Sequence, residues 1–386
     1  MKSDSEVVLI FSDWYLPGYK AGGPIRSCAN LVELLGDEIN FKVVCGDRDY
    51  LETEPYPNVL VNEWVKVGKA KVMYLPPKSQ SLSKIRSIIK AVNPSVIYLN
   101  GMFSVHFTVF PLLISKRADA KVIVAPRGML AEAAMKIRNV KKNLFLKLSK
   151  SIGLFSNVEF HATNITEENQ IKNHFAESAV SIVENIPGFP DFEHSRENHQ
   201  KEKNSLHLYT VARIAPEKNI LFGLECLNQV DRQISVNLDI IGPVYDKQYF
   251  HKCERVVSTL PEQVKVRFLG ALPQSKILQI AARADFFFLP TAGENYGHAI
   301  AESLMIGIPA IISTRTPWRN LRKARLGFDL SLDQKKFSGI LNEVGTWGSH
   351  EYYAAYKNIR VSAEALINVN KLRTGYTNLF DHRNRS

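Results

Sequence analysis

"DFFFLPTAGENYGHAIAESLMIGIPAIIS", residues 285–313, decides the fold. The apolar run 285–290 has strand length, a loop with glycines follows, a helix is expected over 297–306, and a second apolar run spans 309–313. Continuous apolar strands joined through a helix are the repeating unit of a parallel sheet covered on both faces. From Asn295 to Thr314 the only formal charge is Glu302. Burying a bare carboxylate costs on the order of several kcal/mol unless it finds donors. Either Glu302 reaches solvent along a partly exposed helix face, or vicinal hydroxyls of a ligand complete its hydrogen bonds.

The same alternation extends in both directions. Strands at 206–212, 236–242 and 264–270 alternate with helices near 218–229, 246–259 and 273–283. Before them lie strands at 7–12, 41–46, 71–75, 95–100, 121–126 and 158–163, with helices at 24–35, 81–92, 105–117 and 140–152. The stretch "ENIPGFPDFEHSRENHQKEKNS" (184–205) combines proline, glycine and charge without an apolar period and marks a linker. The expected organisation is α/β: an N-terminal doubly wound domain over 1–190, a linker at 191–205, and a second such domain over 206–365. A C-terminal helix with a basic tail (366–386) is expected to pack back on the first domain.

The 386 residues suit two cores, and 45% hydrophobic with 23% charged residues is an ordinary globular composition. No apolar run reaches membrane-spanning length. The four cysteines (Cys28, Cys45, Cys226, Cys253) are scattered, which argues against a disulfide framework or a zinc site and for buried thiols in a cytoplasmic protein. Of the net charge of +11, residues 51–150 carry +12, with 17 Lys/Arg against 5 Asp/Glu. The excess falls mainly in 76–92 and 135–150, where cations alternate with Leu, Ile and Phe at helical spacing. Either these are ordinary solvated helices, or they lie on an anionic membrane surface, placing the protein at the inner face of the cytoplasmic membrane. No aromatic-basic platform supports nucleic acid.

Open parallel sheets bind ligands in loops beyond the carboxyl ends of their strands. "YTVARIAPEKNI" leaves a strand with Arg213 and Lys218, a guanidinium fork and an ammonium suited to a diphosphate. Glu294 sits in the loop after 285–290, and Asn295, Tyr296, Gly297 and His298 follow at the helix start, where N–H groups face anionic oxygens. "LPGYKAGGPIRS" places Gly22 and Gly23 between the first strand and first helix, a turn whose amides can face a phosphate. "VIVAPRGML" ends a strand with Arg127. Asp47 and Asp49 mimic a D-x-D metal motif but are cheap to find by chance, and His161 and His298 have no partner at ligand spacing. No metal or other cofactor is expected.

The E-x7-E of Glu294 and Glu302, the R-x4-K of Arg213 and Lys218, "IIGP" (240–243), "VRFLG" (266–270) and "STRTPWRNL...LGFDL" (313–330) resemble glycosyltransferase family 4, the group 1 glycosyltransferases. The resemblance implies the GT-B fold, two Rossmann-like domains facing across a cleft, and a retaining, metal-independent reaction. It implies that Arg213 and Lys218 hold the donor diphosphate, that Glu302 binds the ribose, and that Glu294 and the amides near Tyr296, Gly297 and His298 meet the sugar and phosphate. Gly22 and Gly23 match its donor-phosphate loop. Many relatives place a histidine near position 127; this chain has Arg127, which can stabilise phosphate charge or bind an anionic acceptor but cannot shuttle protons.

The expected function is therefore sugar transfer from a nucleotide-diphosphate donor to a glycan or lipid-linked acceptor, in surface polysaccharide synthesis by analogy with the family. A sugar-nucleotide epimerase, a non-catalytic sugar-nucleotide binder, and an adaptor built on the basic patch are the alternatives.

Overall fold

The computed structural model describes residues 6–116, 119–136, 139–188 and 199–382. Most of the expected linker (191–198), Arg138 and the tail from 383 lie outside the described residues. The chain divides into two compact units: Met1–Ile186 together with Val369–Ser386, and Pro187–Asn368.

In the first unit, eight strands among the described residues form one sheet: β1 (Val7–Ser12), β2 (Asn40–Gly46), β3 (Trp64–Val67), β4 (Ala70–Leu75), β5 (Val96–Asn100), β6 (Lys121–Ala125), β7 (Glu159–Ala162) and β8 (Ala179–Ile182). Their order is β3-β4-β2-β1-β5-β6-β7-β8, and every pairing is parallel except the β3–β4 hairpin at the edge. β1 and β5 are buried on both faces, as continuous apolar strands between helical layers must be. Helix Leu82–Val92 shows the usual division: Ser81 caps it by accepting from Lys84 N–H, and Ile85, Ile88, Ile89 and Val92 face the core.

Helix Val369–Phe380 completes this unit. Tyr376, Leu379 and Phe380 are each no more than 2% exposed. Phe380 sits edge-on to Phe41 and Tyr98. Lys121 Nζ donates to the Leu379 carbonyl at 2.9 Å while pairing with Glu159 at 2.8 Å.

In the second unit, six strands among the described residues form a wholly parallel sheet ordered β11-β10-β9-β12-β13-β14. They are β9 (Ser205–Val211), β10 (Ser235–Ile241), β11 (Val264–Gly270), β12 (Phe286–Leu289), β13 (Ala310–Ser313) and β14 (Gly327–Leu330). A core of Leu208, Leu224, Leu238, Phe286, Phe288 and Phe337 joins this sheet to its helices. The order in which successive strands are added reverses about β1, flanked by β2 and β5, and about β9, flanked by β10 and β12, while the strands stay parallel. Loops diverge at such switch points and leave a crevice, so the loops after β1, β5, β9 and β12 are where ligands are expected.

Candidate functional site

The loop after β9 is fixed by close backbone approach. A Cβ on Gly242 would lie 1.9 Å from the Ala212 carbonyl oxygen, so only glycine lets β10 end against this loop. Ala212 N–H donates to Ile241 O and Ile214 N–H to Pro243 O, both at 2.9 Å. The Arg213 guanidinium then lies over the Tyr245 ring, 4.8 Å from its centroid, and 3.3 Å from Glu217. One 3-10 turn, Pro216–Lys218, leads into helix Ile220–Leu227. Lys218 Nζ donates to Glu294 Oε1 at 2.5 Å, with side-chain exposures of 16% and 12%. The two sequence motifs, 76 residues apart, thus meet in one ion pair.

The loop after β12 is tied to the first. Thr291 Oγ1 and Ala292 N–H both donate to the Glu217 carbonyl at 3.0 Å, and Asn219 Nδ2 donates to Pro290 O at 2.9 Å. Ser313 Oγ at the end of β13 donates to Thr291 O, and Glu294 N–H to Arg315 O. Gly297 has φ 81°, a left-handed conformation, and opens helix His298–Met305. Trp318 Nε1 donates to Tyr296 O at 2.6 Å and holds the turn from outside, with the Tyr296 ring edge-on to both His298 and Trp318. Glu302, one turn further on, is half-buried. Gly188 lies against it: a Cβ there would come within 3.2 Å of Glu302 Oε1.

Sequence reasoning named Arg213, Lys218, Glu294, Asn295, Tyr296, Gly297, His298 and Glu302, and they lie on two adjoining loops and one helix. It missed Trp318, Thr291, Ser313 and Gly188, which position those residues. Trp318 lies in the stretch 313–330 that carries the family likeness, but no spacing rule assigns its indole N–H to the Tyr296 carbonyl.

In the first unit, Gly22 has φ 67° and precedes helix Gly23–Leu35. The loop after β1 also holds Asp13, whose Oδ1 accepts from Ser104 Oγ at 2.6 Å, joining the loops after β1 and β5. Burial raises the Asp13 carboxyl above its usual range, opposed by the Ser104 bond and nearby His106. Neither Asp13 nor Ser104 stood out in the sequence.

Arg127 sits elsewhere in chemical terms. It adopts φ 55°, and its Nε donates to Asn100 Oδ1 at 2.9 Å, Nη2 to the Tyr98 hydroxyl at 2.6 Å, and Nη1 to Asn185 Oδ1; it also bonds Tyr376. Tyr98 in turn meets His161 Nδ1 at 2.7 Å, and His161 Nε2 meets Val183 O at 2.8 Å. Burial, then the Arg127 charge, push the His161 imidazole down to about 3. Neutral His161 therefore accepts from Tyr98 at Nδ1 and donates from Nε2 to the carbonyl. Glu167 receives the Gly128 amide at 2.6 Å and both Thr163 donors. The donors expected to face an acceptor go instead to side chains of the first unit's own core.

Asp49 accepts backbone N–H groups from Tyr19, Lys20 and Tyr50, and Asp47 pairs with Arg48. These acids are loop anchors. Among the described residues, one group could gather three metal-ligating side chains, Glu6, Asp381 and His382, in the first unit and partly exposed. The cysteines are buried free thiols. No helix among the described residues is long and apolar enough to cross a membrane.

Residues 191–321 match the family model described as glycosyl transferases group 1. The structure is similar to Anabaena Alr3699/HepE in complex with UDP and glucose, with TM-score 0.67, 14% identity, and coverage of 97% of this chain and 99% of that one. It is similar to sucrose-phosphate synthase from Thermosynechococcus elongatus (TM-score 0.66, 16% identity, 97% and 99% coverage). It is also similar to WaaG, a glycosyltransferase involved in lipopolysaccharide biosynthesis (TM-score 0.63, 14% identity, 97% and 99% coverage). No curated protein matches the sequence. The two parallel-sheet α/β units are those of the GT-B fold.

Proposed function

We propose that the protein is a glycosyltransferase that moves a sugar from a nucleotide-diphosphate donor to a hydroxyl of a glycan or lipid-linked acceptor. The observation that carries this reading is the Lys218–Glu294 pair at 2.5 Å, set at the switch point of the second sheet beside the first turn of helix His298–Met305. An ammonium has three N–H donors, and the Glu294 contact uses one. With Arg213 and the helix-start amides, Lys218 can take the charge that builds on a departing diphosphate, which is the main electrostatic task of such a reaction. In this reading Glu302, half-buried against Gly188, receives the two ribose hydroxyls.

Similarity to a structure holding UDP and glucose supports the donor class. Retention of configuration, metal independence, hexose transfer and a surface-polysaccharide pathway belong to this proposal, by analogy with the family.

The test is thermal stabilisation of the full chain by a panel of nucleotide sugars, followed by transfer with the best donor in chelator and anomeric analysis of the product. Stabilisation by one donor, abolished by Glu302→Ala, is expected. A donor epimerised with no acceptor present identifies an epimerase. Stabilisation with no turnover on any acceptor identifies a binding protein, and inversion or strict need for a divalent ion removes the finer parts of the reading.

A further inference from the structure

The two basic segments of the first unit separate once their faces are known. In Leu82–Val92 the apolar residues point inward and Arg86 and Lys90 outward. Helix Asn139–Ser151 is different. It packs through Leu146, which is buried, and through Phe145, edge-on to Phe103 and Phe155. Its outward face is apolar too: Val140 is 81% exposed, Leu144 55%, Leu148 57%, and Ile152, just past its end, 59%. Their four-residue spacing draws one line of about 18 Å along the helix. A helix at a water-facing surface normally turns charge outward, and a contiguous exposed apolar stripe marks a contact surface.

Charge says what the contact is. Exposed Lys141 lies on one side of the line and exposed Lys147 on the other. Lys116 Nζ donates to the Ile152 carbonyl at 3.2 Å, adding a cation at the end of the helix. No Asp or Glu occurs between Glu132 and Glu159. A second copy of the same face would set lysine against lysine across a two-fold axis. A straight apolar ridge with lysines on both flanks fits a flat interface of acyl chains beneath anionic headgroups, where the stems bury and the ammonium groups rise to phosphate.

We propose that Val140, Leu144, Leu148 and Ile152 form the line along which the first unit docks on an anionic phospholipid bilayer, with Lys141 and Lys147 as its electrostatic flanks. The inference does not depend on the transfer reaction. Flotation of the full chain with phosphatidylcholine vesicles, with and without phosphatidylglycerol, tests both.

Binding to the anionic vesicles is expected, and Leu144→Glu with Leu148→Glu should abolish it. Lys141→Ser with Lys147→Ser should weaken it about ten-fold or more. All four side chains are exposed, so thermal midpoints should hold and serve as the folding control. Absence of binding to anionic vesicles overturns the proposal, as does binding that both variants retain. A dimer in light scattering that the leucine variant dissolves, without vesicle binding, assigns the face to a second copy and overturns it equally.

Discussion

Arg127 of the first unit and Lys218 of the second both follow a strand of a parallel sheet, and both are largely covered. Arg127 bonds Tyr98, Asn100, Asn185 and Tyr376, drawing β5, the end of β8 and helix Val369–Phe380 together. Lys218 meets one acid, Glu294, between two loops at a switch point. The resemblance implies that Lys218 serves the reaction, and arginine chemistry alone suggested the same of Arg127, where many relatives have a histidine. A cation whose N–H groups are satisfied inside the fold braces it, whereas one with donors to spare beside a helix start can receive a ligand.

Arg127→Leu probes the brace most severely. It leaves several buried acceptors without donors, at about 1–3 kcal/mol each, so the urea midpoint should fall by the equivalent of about 4 kcal/mol. An unchanged midpoint with lost transfer would return Arg127 to the reaction. Next in size, Lys218→Ala and Glu294→Ala should each lower kcat/KM about a hundred-fold or more, about 3 kcal/mol of transition-state stabilisation, with a smaller stability change than Arg127→Leu. Wild-type turnover in either would dissolve the contrast.

The brace also has a pH signature. Folded His161 resists protonation down to about 3, while the unfolded chain takes up the proton below about 6.5. Its contribution is complete above pH 6.5 and is lost as pH falls toward 3, amounting to about 2 kcal/mol by pH 5. His161→Gln should flatten that part of a stability profile, whereas Lys218→Ala should leave it in place. Smallest of all, Gly188→Ala should raise the donor KM roughly five-fold by crowding Glu302, with little change in melting; an unaltered KM would detach Gly188 from the site.

The central strands were legible in the sequence because burial on both faces makes them continuous apolar runs. The strands that escaped, β3 ("WVKV"), β8 ("AVSI") and β14 ("GFDL"), are four-residue edge strands in which pairing follows from neighbours more than from composition. Glu294 with Lys218 could be read from spacing and place. Gly188 could not, because its importance lies in a side chain 114 positions away along the chain. The helix at 140–152 was visible by its period, but periodicity cannot say which of two apolar faces a fold turns outward.

The return of residues 369–380 to the first unit has a consequence for synthesis. The second unit is contiguous, so it has all its parts as soon as Asn368 leaves the ribosome. The first unit, though translated earlier, lacks Tyr376, Leu379 and Phe380 until twelve more residues emerge. Domains made first generally finish first; here the nascent chain must hold an unsealed N-terminal sheet while its younger neighbour matures, which makes that interval the natural moment for a chaperone to engage it.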